Sequence, residues 1–185
     1  AYVAAKRNLL TYQTENDKTV LNRDDHYFEV IRSGLKSEMI SFGMARGSEK
    51  VSAQVFFDGE QLMIKSESET IPVLTKSEIS LRGQHNLMNV LAACAISFAA
   101  GFSVDAMRAG IIDFHGVAHR LQMVREKDGV RWYDDSIATA PERSLAAVNS
   151  FNEPIIMLLG GRDKKLPWNE LAAALHQKAK AAVLF

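Results

Sequence analysis

Two adjacent carboxylates and a hydroxyl, Asp134-Asp135-Ser136, follow an apolar stretch, Val130 to Tyr133, and precede a helix start at Pro141. Such a crest can bind ribose hydroxyls, a metal's water shell or an amino group. It can also cap its own turn, the commoner use of Asp and Ser at such a place. Gly160-Gly161-Arg162-Asp163-Lys164 lies between a strand-like run and a helix-like one. Its glycines let backbone N–H groups approach an anion, and Arg162 and Lys164 add positive charge. A plain strand-to-helix turn explains the spacing equally well, because it is neither a P-loop nor G-x-G-x-x-G.

Histidines and amides offer further chemistry. His115 and His119 have the i, i+4 spacing of a zinc-binding helix face. Gly116 between them interrupts such a helix, so zinc is not expected. His119-Arg120 reads instead as a pair at a domain joint, where clefts open; a hydrogen-bonded His beside a surface Arg is the plainer alternative. Asn86 and Asn89 stand one helical turn apart, and an amide's paired donor and acceptor suit an adenine edge. N-capping by Asn86 explains the first of them more simply. Lys6, between Ala5 and Arg7, reads by chemistry alone as an exposed lysine.

These groups need elements to hold them. Apolar spacing predicts a helix over residues 1–12, a strand at Thr19–Leu21 ending in the polar Asn22-Arg23-Asp24-Asp25, and a helix over Tyr27–Leu35. Glu38–Met44 alternates as a strand, and Val51–Phe57 and Gln61–Lys65 flank Asp58-Gly59-Glu60 as a hairpin. A long apolar helix is expected over Leu87–Ala100, stopped by Gly101, and a second over Val104–Phe114, capped by Ser103. Leu121–Arg125 and Val130–Tyr133 read as strands, the latter buried, joined through Lys127-Asp128-Gly129. Pro141 opens a helix with Thr139 as its cap and Glu142 at the positive end of its dipole. Ile155–Leu159 is an uninterrupted apolar run, the mark of a strand buried on both faces. Pro167 opens a further helix (Trp168–Lys178), and Ala181–Phe185 begins another strand. Strand, helix, strand, helix, strand is the doubly wound α/β order. The change of character near Gly116 divides the chain into residues 1–116 and 117–185.

Composition narrows the function classes. The 185 residues carry no net formal charge, so no basic field argues for nucleic acid. The one cysteine, Cys94, excludes a disulfide framework and suits a reducing compartment. No apolar run approaches the length of a membrane span, so no membrane partner is expected. The start without Met inside a helical pattern, and the stop within a strand-like run, suggest a segment of a longer protein with material missing at both ends.

Taken in series, the motifs are more specific than any one alone. Tyr2-x-x-x-Lys6, Val20-Leu21-Asn22-x-Asp24-Asp25, Gly83-Gln84-His85-Asn86-x-x-Asn89, Ala118-His119-Arg120-Leu121, Asp135-Ser136-x-Ala138-Thr139 and Gly160-Gly161-x-x-Lys164 together resemble the Mur ligase family along the whole chain. The order is most like the member that joins D-glutamate to UDP-N-acetylmuramoyl-L-alanine in peptidoglycan biosynthesis. The resemblance implies an α/β fold: the rear part of a central ATPase domain, with a mixed sheet and helices, then the start of a Rossmann-like C-terminal domain. It implies ATP and Mg²⁺ as cofactors, an acyl phosphate intermediate, a cytoplasmic bacterial location and a monomer. The family's glycine-rich phosphate loop is not in this sequence, so the segment alone is expected to be inactive.

Roles follow from the resemblance residue by residue. Lys6 matches a carbamylated lysine, which turns a cation into an anionic ligand for Mg²⁺. Asn86 and Asn89 match adenine-side positions. His119, Arg120 and Asp135 match groups brought to ATP, with His119 and Arg120 counted as catalytic. Ser136, Thr139 and Lys164 match the neighbourhood that receives D-glutamate. One departure stands out: where the familiar pattern reads D-S-K-A-T, this chain has Ile137, which cannot pair with a carboxylate. Lys164, helped by Arg162, is then expected to carry that charge. Another Mur ligase, a folylpolyglutamate-type ligase, or a non-catalytic nucleotide-binding α/β protein are the alternatives.

Overall fold

The computed structural model describes residues 2–162 and 164–185. It divides into two compact units. One takes the residues up to Ser80 together with Leu87–Phe114; the other takes Leu81–Asn86 with His115–Phe185.

The first unit is built on a five-stranded mixed sheet in the order β1-β2-β3-β4-β5. Helix α1 (Tyr2–Thr11) precedes β1 (Lys18–Asn22), and α2 (Phe28–Arg32) links it to its parallel neighbour β2 (Glu38–Gly43). β3 (Ala53–Asp58) is parallel to β2, then turns through Gly59, at φ +58, into antiparallel β4 (Gln61–Ser66). β5 (Thr70–Thr75) completes the antiparallel edge. Ile40, Val55, Leu62 and Ile64 are fully buried along the sheet. Helix α3 (Gln84–Ala99) buries Val90, Leu91, Cys94 and Ala95, the i, i+1, i+4, i+5 stripe of an amphipathic face. Helix α4 (Val104–Asp113) adds Met107, whose sulfur lies 3.8 Å from the Cys94 thiol. Burial pushes that thiol's pKa up to about 12, so Cys94 is packing rather than a nucleophile. Ser103 caps α4, its hydroxyl accepting the Ala106 N–H, as the sequence predicts.

A buried ionic knot holds the crossover from β2 to β3. Parallel neighbours are normally joined by a helix, but residues 44–52 form none, so the loop's polar groups need other partners. Arg23 supplies them. Its guanidinium reaches the Ala45 and Val55 carbonyls, the Ser41 hydroxyl and, at 2.9 Å, the Glu49 carboxylate. Arg23 and Glu49 side chains are 7% and 9% exposed. Asp24 accepts the Met44 N–H at 2.7 Å, and Gln54 donates to the Glu49 carbonyl. Gly43 is required beneath them, since a Cβ there would lie 2.7 Å from Arg23 Cγ.

The second unit holds two small sheets. β6 (Gln122–Lys127) and β7 (Val130–Asp134) form an antiparallel hairpin. β8 (Ile155–Leu159) and β9 (Ala179–Leu184) pair in parallel, with α6 (Asn169–Lys178) between them in sequence. Helix α5 (Pro141–Asn149) packs on α6, burying Ala147, Val148 and Leu171.

Several expectations need correction. β5 was not foreseen. α2 is shorter than Tyr27–Leu35, because Ser33 turns extended and Gly34 adopts φ +77. α3 begins at Gln84, so Asn86 lies inside the first turn rather than capping it. Thr139 does not cap α5; Ala140 does, with no side-chain bond, and Pro141 fills the first turn. The expected burial of Val130–Tyr133 is not found: β7 is mostly exposed, with Trp132 52% accessible. Nor is β8 buried on both faces, for Ile156 and Leu158 alternate outward. β7 and β8 do not share a sheet.

Candidate functional site

The second unit brings most of the candidate residues onto two stitched turns. One turn, residues 115–121, precedes β6; the other, residues 134–140, follows β7. Hairpin pairing of Gln122 with Asp134 and Met123 with Tyr133 sets the two turns side by side. His119 and Leu121 take left-handed backbone, φ 65 and φ 43, which side-chain-bearing residues rarely adopt. The neighbouring turn holds them there. Ile137 N–H donates to the His119 carbonyl at 3.2 Å, and Asp135 accepts the Leu121 N–H at 3.0 Å. His119 N–H reaches the Gln122 side chain at 3.1 Å.

The two carboxylates of the crest are thus in different environments. Asp134 accepts the Ser136 N–H at 2.9 Å and meets His119 Nδ1 at 2.7 Å. Those bonds to the charged form bring its pKa down to about 2. Asp135 moves the other way: burial raises its pKa, while the Leu121 N–H, the Arg120 charge and the His85 charge only partly oppose this. Burial and the Arg120 charge lower the pKa of His85, against the pull of Asp135. His85, Arg120 and Asp135 therefore form one electrostatic group, in which a half-buried acid faces an exposed guanidinium. Such a group can neutralise a polyanion and hold its orientation.

Behind this group lies a firm support. Arg82 makes paired contacts of 3.2 Å to both Glu153 oxygens, and Arg131 joins Glu153 at 2.7 Å. Arg82 also lies 5.6 Å from the Tyr133 ring centre and 5.2 Å from that of Phe151, which meet edge to face. The Arg82 hydrogen bond leads the causes that bring the Glu153 pKa down to about 2. Asn86 is 8% exposed, and its amide donates to the Arg82 carbonyl at 2.7 Å. It braces the turn at Gly83, where φ is +91.

The remaining candidates are distributed as follows. Lys164 Nζ lies 3.3 Å from the Thr139 carbonyl, so these two candidates meet. Ser136 and Thr139 are exposed on the same turn, and Ile137 is 39% exposed between them. Asp163 and Ala1 lie outside the described residues. In the first unit, Lys6 is exposed on α1 and Asn89 is exposed on α3. Among the described residues no group of three or more His, Cys, Asp or Glu could hold a metal ion. Lys6 as an ordinary amine would repel Mg²⁺, so the donor set on its own does not fit that ion.

Sequence reasoning gave no role to His85, and treated Asp134 only as part of the Asp134-Asp135-Ser136 crest. Both sit inside motifs it singled out, but spacing alone does not tell which of two adjacent aspartates faces His119.

Comparison with known proteins adds to this geometry. The family model described as the Mur ligase middle domain matches residues 1–97. A UDP-N-acetylmuramoylalanine--D-glutamate ligase of Clostridium botulinum (strain Langeland) is 36% identical over 184 residues, 99% of this chain. One of Clostridium novyi, bearing the same name, is 37% identical over the same share. The chain spans 38% of the length of each. Among solved structures, the UDP-N-acetylmuramoylalanyl-D-glutamyl-2,6-diaminopimelate--D-alanyl-D-alanyl ligase of Acinetobacter baumannii aligns with a TM-score of 0.68 at 21% identity, over 98% of this chain and 46% of that one. The folylpolyglutamate synthetase of Lactobacillus casei aligns at 0.59 and 11% identity, over 98% and 46%. These structural likenesses speak to the α/β fold alone.

Proposed function

We propose that this chain, which belongs to the Mur ligase family, is part of an ATP-dependent enzyme that adds D-glutamate to UDP-N-acetylmuramoyl-L-alanine. Residues 1–116 are assigned to the rear of the ATP-binding domain and residues 117–185 to the front of the Rossmann-like ligase domain. The observation that carries this reading is the similarity, along nearly the entire chain, to ligases named for D-glutamate.

ATP as co-substrate supplies a phosphoryl group to a carboxylate oxygen, and ADP leaves. The amino acid's amine then attacks the activated carbonyl, the amide forms, and phosphate departs with one former carboxylate oxygen. In this scheme Arg120 supplies positive charge to the phosphates, where fixed cations are worth most as charge moves. Asp135 offers Arg120 an opposing charge and holds its turn by accepting the Leu121 N–H. Asn89 offers an exposed amide to the adenine edge, and Asn86 sustains the backbone from which that helix starts. Lys6 would serve a magnesium ion only as its carbamate, and no step is derived through the metal. Such an enzyme works on soluble precursors, which fits a cytoplasmic, monomeric protein.

Lys164 and the Ser136–Thr139 turn form the acceptor end. With Ile137 offering no charge, the cations at that turn are Lys164, 3.3 Å from the Thr139 carbonyl, and Arg143, 3.3 Å from the Ile137 carbonyl. K164A in the full-length protein should raise KM for D-glutamate roughly 10–100-fold, the effect of losing a charged hydrogen bond of about 1.5–3 kcal/mol. An unchanged KM would remove Lys164 from the acceptor site. The test of the function itself is a panel of acceptors with UDP-N-acetylmuramoyl-L-alanine and ATP. D-glutamate alone should yield product by mass spectrometry; preference for another amino acid, or for a folate acceptor, would reassign the substrate.

A further inference from the structure

We propose that Asp134 is a positioning residue for His119, holding a proton on Nδ1 so that the neutral form of the ring presents the Nε2 lone pair to the reaction. The inference rests on the ligase reading only for its kinetic consequence; the tautomer itself is a property of this chain.

Each end of the pair is held in place. The His119 backbone is fixed at φ 65 by bonds on both sides, its N–H to the Gln122 side chain and its carbonyl to the Ile137 N–H. The Cα–Cβ bond is therefore fixed, and the contact of Nδ1 with Asp134 is what sets the ring. Asp134 divides its two oxygens, Oδ1 to the Ser136 N–H and Oδ2 to His119 Nδ1 at 2.7 Å. Turning the carboxylate would break both bonds together.

The chemistry then follows from the partners. Asp134 is ionised throughout the neutral range and can only accept, as its pKa of about 2 requires. Nδ1 must therefore donate, and in a neutral imidazole the acceptor is then Nε2. The His119 side chain is 65% exposed, so this nitrogen is open to a ligand. A carboxylate that sets a histidine's tautomer without itself exchanging a proton is a recurring arrangement where imidazoles act on substrates. Asp134 therefore has a task apart from Asp135, which faces Arg120 and His85.

Long-range ¹H–¹⁵N NMR on this chain reads the tautomer directly. A free neutral histidine favours the proton on Nε2; His119 should show it on Nδ1, and D134A should return it to Nε2. The amide spectrum of β8, β9 and α6 reports whether the unit remains folded, and D134N provides a variant that keeps an acceptor for Ser136. In the full-length enzyme D134N should lower kcat roughly tenfold or more while leaving KM for ATP unchanged. A wild-type ring protonated on Nε2, or one indifferent to D134A, overturns the proposal. So does a tautomer that switches with no change in kcat. If the full-length protein has no ligase activity, the NMR result still decides the tautomer while the ligase reading falls.

Discussion

Replacing Glu49 with alanine is expected to destabilise the first unit by about 3–5 kcal/mol, because it strands a buried guanidinium. Arg23 and Glu49 are both nearly inaccessible, and Arg23 also ties down the carbonyls of the helix-free crossover 44–52. Native-state hydrogen exchange at the amides of β1–β3 would measure the loss. The pair itself is not expected to be a large net gain. Arg23→Met with Glu49→Leu should recover most of the lost stability, since apolar replacements avoid desolvating charge. A loss below about 1 kcal/mol in E49A would mean that water reaches the site.

The same residue gives a pH dependence of known sign. Burial alone would raise the Glu49 pKa, but the Ser41 hydroxyl, the backbone N–H of Glu49 itself and the Arg23 guanidinium together outweigh it and bring it below its ordinary value of 4.5. A carboxylate depressed in the folded state stabilises above its unfolded pKa and loses that contribution as pH falls through the folded value. The first unit should therefore weaken below about pH 4.5, and E49A should flatten that part of the profile.

Removing Arg120 should have the largest effect on activity. R120A in the full-length enzyme is expected to lower kcat roughly 10²–10³-fold, the range seen when a group aimed at transition-state charge is lost. Arg120 is exposed, so the fold should survive. Its guanidinium is one of the charges that oppose the upward pull of burial on Asp135. R120K should recover only part of the rate, because an ammonium is a point charge without a planar fork. Wild-type kcat in R120A would separate Arg120 from the chemistry.

Much of the architecture was legible because its signals are local. Ser103 before Val104 and Gly59 in the hairpin each impose one geometry, and the structure uses them so. The apolar stripe of α3 reads directly as a core helix. β5 was missed because Pro72 lies within it, and proline cannot donate to a ladder. It is tolerated because β5 is an edge strand, with Pro72 opposite Met63 beside a shift in register. β8 misled for a different reason. A continuous apolar run normally means two covered faces, but burial in this unit comes from the α5–α6 side, and Ile156 and Leu158 stay exposed.

The candidate site was legible as motifs but not as contacts. Ser136, Thr139 and Lys164 could be grouped by resemblance, yet only tertiary structure brings Lys164 to Thr139. Adjacent aspartates are equivalent in sequence; a hairpin register and two left-handed residues send Asp134 to His119 and Asp135 to Leu121. Asn86 shows the reverse. Its type and spacing suited a ligand, while the fold uses its amide to hold the Arg82 carbonyl.

The central claim is that these residues serve a carboxylate activated by phosphoryl transfer and then joined to an amine. It is tested most directly by following oxygen. The full-length protein would be supplied with ATP, Mg²⁺, D-glutamate and UDP-N-acetylmuramoyl-L-alanine labelled with ¹⁸O in its carboxylate. The released phosphate should carry one labelled oxygen per amide formed, and none should be released without the acceptor amine. Unlabelled phosphate, or ATP hydrolysis indifferent to D-glutamate, would contradict the account.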